Sequence, residues 1–420
     1  MSTSKPKTRR RSSSVTDALK QVPLNQHESE GSRSGSEVKP LPGRPRNKSN
    51  SYGLPEMYKS RGFRNDVKTG RWMLIPESSL KILLIPIVLY WNQRLLIHLG
   101  ILSPSTSNPF ELLLFPSNQL SNGKYVKGWA DLLFVGQYVV AWSFIRQFMT
   151  IYVLWPMAQA LGIKGNKIIR FTEQGYAVFY FGILGSCGIY VMRGLPVYWY
   201  RTEHIWLDYP HKEMTLELKL YYLAQAAYWV QQTIILAAKI EKPRKDFHEL
   251  VAHHLVTLWL IGWSYNIYLT RFGVLIFVNM DVSDIWIASA KCVNYVNETW
   301  SIPVFAFFVV VWSYMRHYLN IVMLWSILTE FRLIPEAERS LFRPLEDKWI
   351  DWWMQWQIFV PILLLQFINL FWYFLIWRIL LRSIFSKEQP KDERSDDEEE
   401  DEPEMATGEK VAVLKGKKAE

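Results

Sequence analysis

The sequence predicts an all-α integral membrane protein, a bundle of about eight transmembrane helices between two disordered tails. Three observations carry that prediction. Eight stretches reach the roughly 20 mostly apolar residues that one helix needs to cross a hydrocarbon core of about 30 Å. The charges avoid those stretches: residues 1–75 hold a balance of +10 and residues 383–420 a balance of −6, within a net +9 over 420 residues. The near-neutral mean hydropathy is then an average of two unlike kinds of segment. Two cysteines, Cys187 and Cys292, exclude a disulfide-built scaffold, and 49% hydrophobic content excludes a fully disordered chain.

The elements follow in order. The arm 1–75 is rich in Ser, Pro, Gly and Arg and cannot bury enough apolar surface to offset chain entropy, so it is expected to be disordered. It lacks the apolar core of a secretory signal in its first 70 residues. The spans are expected near 80–101, 131–155, 173–192, 218–238, 249–269, 273–295, 302–327 and 356–381. The seventh and eighth are the clearest by apolarity. The first, fourth and sixth carry Arg94, Gln225, Gln231, Gln232, Asp281 and Asp284, which predicts helices packed around a polar interior. Residues 386–420 form an acidic tail with a run from Asp396 to Glu402.

Orientation follows from Lys and Arg in the short loops. The basic arm starts in the cytosol. Lys164, Lys167 and Arg170 of the 156–172 loop, and Lys239, Lys242, Arg244 and Lys245, then fall on the same side. The 328–355 loop falls opposite; its basic residues count against the scheme but stand among acidic ones. Eight spans return the C-terminus to the cytosol. No internal repeat supports a transporter built from repeats.

The chemistry concentrates in one place. Three of the eight His stand together, as His248, His253 and His254. The next span carries Asp281-Val282-Ser283-Asp284, whose carboxylates share one helix face, with Lys291 seven residues beyond. A charge at mid-bilayer costs about 2.5–3.5 kcal/mol on insertion scales, so the two Asp need interior partners. Adjacent antiparallel helices can bring the His and Asp pairs together. Such a site offers acid–base chemistry or nucleophilic acyl transfer by imidazole, with a carboxylate fixing the tautomer. The alternatives are a structural hydrogen-bonded cluster and a metal site. His248, His253 and His254 have ligand chemistry, but one cluster does not make the several His boxes of a membrane di-iron enzyme.

The stretch from Asp246 to Tyr295 resembles the signature of the ceramide synthases, the longevity-assurance branch of the TLC-domain proteins. The matching residues are Asp246-Phe247, His253-His254, Thr257, Ser264-Tyr265, Arg271-Phe272-Gly273, Asp281-Val282-Ser283-Asp284, Ala290-Lys291 and Tyr295. Upstream the likeness includes Trp206, Tyr209-Pro210, Lys219, Tyr221-Tyr222 and Tyr228-Trp229-Val230-Gln231-Gln232; downstream, Arg316-His317 and Trp325-Ser326. It spans roughly 80–385, with a TLC domain at about 165–385, and is similar to the fungal branch. Ile287-Ala288-Ser289 stands where many relatives have a Leu-Glu pair before Ala-Lys.

The resemblance implies transfer of a fatty acyl group from acyl-CoA to the amine of a sphingoid base in the endoplasmic reticulum. It implies His253 and His254 as catalytic residues with Asp281 and Asp284 as partners, and Ser264, Tyr265, Lys291 and Tyr295 as substrate-binding residues. Lys239, Lys242, Arg244 and Lys245 are candidate contacts for CoA phosphates or the ordinary positive-inside signal. Acyl-CoA is a substrate, so no cofactor and no metal are implied. Expected partners are acyl-CoA, sphingoid base, membrane lipid, a small single-span accessory subunit and a homo- or heterodimer partner, with no nucleic acid. The competing reading is a non-catalytic TLC-domain protein for lipid binding or transport, since fold does not fix function.

The tails add addresses. Lys417-Lys418 near the C-terminus matches a di-lysine retrieval signal and fits an endoplasmic reticulum membrane protein with both termini cytosolic. Ser14, Ser49 and Ser395 fit kinase preferences, where phosphate would add about −1.5 to −2 charge per site. The sequons at Asn47 and Asn297 fall on the cytosolic side in this topology and are expected to be unused.

Overall fold

A computed structural model describes residues 54–238, 246–339 and 342–385. The long elements among them are all helical: α1 (Pro76–His98), α2 (Asp131–Ala160), α3 (Lys167–Arg193), α4 (Leu216–Ala237), α5 (Phe247–Asn266), α6 (Thr270–Val296), α7 (Thr299–Thr329) and α8 (Met354–Phe385). Each falls on one of the stretches expected from the sequence. Six are long and apolar enough to cross a membrane, namely all but α4 and α5. The expected count of eight spans therefore stands at six by composition. The two that fall short are diluted by polar residues: Glu217, Lys219, Gln225, Gln231 and Gln232 in α4; His248, Glu249, His253 and His254 in α5. Of these, Lys219, Gln225, Gln231, His253 and His254 are buried, whereas Glu217 and His248 are exposed.

Helix packing closes a circuit. α2 packs on α4, α4 on α5, α5 on α8, α8 on α7, α7 on α6, α6 on α3, and α3 back on the end of α2. α6 has the most extensive partner, α3, and its apolar window is 67% buried, against 11% for α1, which stands outside the circuit against α2. Close approach of α3 and α6 needs glycine. A Cβ on Gly188 would lie 2.4 Å from the Tyr221 hydroxyl and 2.8 Å from Val278 Cγ2, and one on Gly185 would touch Asp281 Cβ at 3.4 Å.

Helix ends and bends have local causes. Thr215 caps α4 by accepting the Leu218 N–H, and Asn297 caps α7 by accepting those of Thr299 and Trp300. The expected sequon at Asn297 is thus a helix cap. α2 and α7 each contain a π-helical stretch, Met149–Leu154 and Ser313–Leu319; the latter carries Arg316 and His317.

Two expectations are corrected. The arm is structured from about residue 54 onward, in short turns at Glu56–Tyr58, Phe63–Lys68 and Arg71–Met73. Asp66 ties them to the start of α1, accepting from Ser60 Oγ, Ser78 Oγ and the Arg61 N–H. Arg94 is exposed, not interior. It lies in the last turns of the outermost helix with its guanidinium beside the Tyr90 hydroxyl, so a long cationic side chain reaches the helix end without crossing the core.

The end at which α5 stops, here the far end, is capped by three connecting segments. Tyr125 and Met214 exchange backbone hydrogen bonds at 2.8 Å. Asp347 gathers Lys127 and Lys212 at 3.0 Å each, the Trp349 indole at 2.9 Å and the Tyr268 hydroxyl. Burial alone would raise the Asp347 pKa, but these donors together hold it well below the usual carboxylate range.

Candidate active site

α5 and α6 are antiparallel neighbours joined by Ile267–Leu269. His253 precedes the end of α5 by about 13 residues, and Asp281 and Asp284 follow the start of α6 by about 11 and 14. At about 1.5 Å per residue both pairs lie some 17–21 Å from the turn, at one depth. The buried residues of α5 are His253, His254 and Ile261, so its inward face is built around the imidazoles. Each His is 8% exposed and Asp281 0%.

The rings are held by aromatics. Trp229 of α4 lies 5.7 Å from His253 and 5.6 Å from His254, centroid to centroid, and Trp372 of α8 lies 5.4 Å from His253. His254 Nδ1 lies 2.9 Å from the Leu250 carbonyl oxygen. A carbonyl only accepts, so Nδ1 carries the proton and the neutral ring presents Nε2 with its lone pair. His253 Nδ1 is buried without a partner.

The carboxylates are held from elsewhere. Asp281 Oδ2 accepts from Gln225 Nε2 at 2.5 Å, and Gln225 is in turn fixed by the Tyr180 and Tyr221 hydroxyls at 2.7 and 3.1 Å. Asp281 Oδ1 has no partner. Asp284 forms an ion pair with Arg316 of α7 at 2.6 Å. Arg316 also donates to Ser283 Oγ at 2.6 Å, Asn369 Oδ1 at 3.2 Å and the Met280 carbonyl at 3.3 Å, tying α6, α7 and α8 together. The sequence predicts that the Asp pair orients the imidazoles. In the structure the pairs share a depth, but neither imidazole hydrogen-bonds to either carboxylate. A main-chain carbonyl and two indoles orient the rings; an amide and a guanidinium orient the acids.

The other predicted residues divide. Ser264 and Tyr265 lie about 16 Å further along α5, at about 1.5 Å per residue. Ser264 bonds the Tyr222 hydroxyl and donates to Leu260 O at 2.5 Å. Tyr265 donates to Asp131 Oδ2 at 2.8 Å. Both belong to the far end and not to the His–Asp centre. Lys291 is half-buried beyond Asp284 on α6, within electrostatic reach of it. Tyr295 packs with Cys292 against the cluster of Trp155, Ala158, Ile163, Ile168 and Phe171, near the start of α3. Lys239, Lys242, Arg244, Lys245, Ser14, Ser49, Ser395, Asn47 and the Lys417-Lys418 end lie outside the described residues.

Sequence reasoning did not single out Arg316, Gln225, Trp229, Asn369 and Trp372 as site residues. One signal was available: Arg316 is a charge in mid-span, and the insertion cost that flagged the Asp pair applies equally to it. Nothing local marks which Trp of many lies beside an imidazole.

Comparison with known proteins agrees with this architecture. Residues 170–378 match the TLC-domain family (TRAM, LAG1 and CLN8). The chain is 34% identical over 339 residues to sphingosine N-acyltransferase lac1 of Schizosaccharomyces pombe, covering 80% of this chain and 87% of that one. It is 40% identical over 283 residues to ceramide synthase LAG1 of Saccharomyces cerevisiae, covering 67% and 68%. A sphingosine N-acyltransferase-like protein, FUM17 of Gibberella moniliformis, is 38% identical over 237 residues, covering 54% and 61%.

Proposed function

Because the chain belongs to the TLC-domain family, in its fungal sphingosine N-acyltransferase branch, we propose that it is a ceramide synthase. It transfers a fatty acyl group from acyl-CoA to the amine of a sphingoid base, giving ceramide and free CoA. The observation that carries the reading is the buried imidazole of His254, with Nδ1 committed to Leu250 O, at the depth of two carboxylates.

The chemistry divides among the residues as follows. The sphingoid base arrives as an ammonium ion and passes one proton to the unpaired Asp281 Oδ1, which frees the nitrogen lone pair; that proton is released to solvent after turnover. His254 Nε2 takes a second proton from the amine as the C–N bond forms at the thioester carbon. It returns the proton to the thiolate sulfur as the C–S bond breaks. His253 flanks the same carbonyl. Asp284, charge-paired with Arg316, keeps α6 in register, and Lys291 stands between this centre and the end at which α5 begins. Lys239, Lys242, Arg244 and Lys245 join α4 to α5 at that end and suit the CoA phosphates.

The chain works as a multi-pass protein of the endoplasmic reticulum membrane with both termini in the cytosol, needs no cofactor, and pairs with a small single-span subunit and a second synthase chain. Purified protein given acyl-CoA should release CoA thiol only when a sphingoid base is added, and His254→Ala should abolish release. Full activity in both His253→Ala and His254→Ala, or thiol release independent of base, refutes the reading.

A further inference from the structure

The proposed reaction passes through a tetrahedral adduct whose oxygen becomes an anion, and such an oxygen needs a preorganised donor about 3 Å away. The obvious local cation is spent: Arg316 already serves Asp284, Ser283, Asn369 and the Met280 carbonyl. Gln225 Nε2 is committed to Asp281 and Tyr221. Two donors beside the imidazoles are not spent. The Trp229 ring touches both His253 and His254, and the Trp372 ring touches His253. Both side chains are 8% exposed, and both indole N–H groups are buried without an acceptor. An unmet buried donor costs about 1–3 kcal/mol, which a bound acyl carbonyl would recover.

We propose that Trp229, assisted by Trp372, is a catalytic residue whose indole N–H stabilises the oxyanion of acyl transfer. This rests on the acyltransferase reading and deepens it. As the nucleophile's nitrogen bonds to the carbonyl carbon, the C=O π pair moves to oxygen and is met by the N–H. When the pair returns, the C–S bond breaks and the thiolate leaves with the proton from the imidazole. A neutral donor also suits the site, because another fixed cation would repel the incoming ammonium.

The test compares Trp229→Phe with Trp263→Phe in the purified full chain. Each keeps a ring and removes a buried, unpartnered indole N–H, but Trp263 lies on α5 about nine residues past His254 and stacks on Trp259. For Trp229→Phe, kcat should fall about 100-fold with KM for acyl-CoA within about twofold. Affinity for an acyl-CoA trifluoromethyl ketone should fall by the same factor, and affinity for the unreactive thioether analogue should stay at the parental value. Trp263→Phe should keep the parental rate. If Trp229→Phe does not fold, Trp372→Phe carries the test, with a drop of about tenfold expected. Parental kcat in the Trp229 variant, or equal losses toward ketone and thioether, overturns the proposal while leaving the acyltransferase reading intact. Absence of base-dependent CoA release in the parent overturns both.

Discussion

Among the described residues, two of the buried ion pairs are built differently. Lys219 of α4 meets Asp131 of α2 at 2.9 Å, toward the far end; Arg316 of α7 meets Asp284 of α6 at 2.6 Å, in mid-bundle. Around the first, every donor and acceptor is used. Lys219 also donates to the Ser117 and Val126 carbonyls at 2.7 Å each, and Asp131 accepts from Ser117 Oγ, the Gly128 N–H and Tyr265. Around the second, Asp281 Oδ1, Asn279 Oδ1, Asn369 Nδ2 and His253 Nδ1 are buried without partners. A saturated network fixes geometry. An unsaturated one costs free energy in the empty protein, and it persists where a ligand completes it. The comparison separates a saturated pair from an unsaturated one, although both would look alike in a list of intramembrane charges.

Four outcomes would sharpen or break that distinction. The largest effect belongs to Lys219→Met. It strands the Asp131 carboxylate, so stability should fall by about 3–5 kcal/mol. Size exclusion and thermal unfolding in detergent should show loss of folded protein, and a variant as stable as the parent would dissolve the contrast. Next, Asp284→Asn keeps an oxygen for Arg316 and should remain folded while the acyl-transfer rate drops about 100-fold. A stability loss matching that of Lys219→Met with the rate intact would place this pair in the structural class too.

A smaller effect concerns the saturated far end and pH. Burial, then the charge of Arg271, pushes the His211 pKa down to about 4, and its Nε2–H donates to the Ile205 carbonyl at 3.1 Å. The folded value lies below the unfolded one of about 6.5, so the stabilisation is whole above pH 6.5 and is lost as pH falls toward 4. Unfolding temperature should drop across that window in the parent and more gently in His211→Gln; parallel curves would remove His211 from the account. The smallest is Asn297→Ala, which removes the cap of α7 and should cost about 1 kcal/mol with acyl transfer unchanged. Calorimetry and the thiol-release assay on the same preparation check both halves.

Much of this was legible in the sequence. All eight long helices stand within a few residues of the stretches expected, because bilayer length and apolar composition are properties of a segment by itself. The His and Asp pairs were legible because imidazoles and carboxylates in apolar surroundings are costly wherever they sit. Illegible were the partners. Asp281 and Asp284 were matched with the imidazoles from helix adjacency and the family resemblance, whereas Gln225 and Arg316 hydrogen-bond them. Ser264 and Tyr265 were read with the substrate; in the structure Ser264 bonds Tyr222 and Tyr265 bonds Asp131, toward the far end.

The sequence by itself determined the helical class, the membrane setting and the residues able to do acyl-transfer chemistry. Those follow from local composition and from the cost of isolated charge. Only the tertiary structure decided which donor meets which acceptor. That choice depends on which helices become neighbours, and α3 and α6 approach each other only where Gly185 and Gly188 remove the side chains between them. Hydrogen bonds act over about 3 Å, and residues 50 or 100 positions apart in the chain come within that range only through packing.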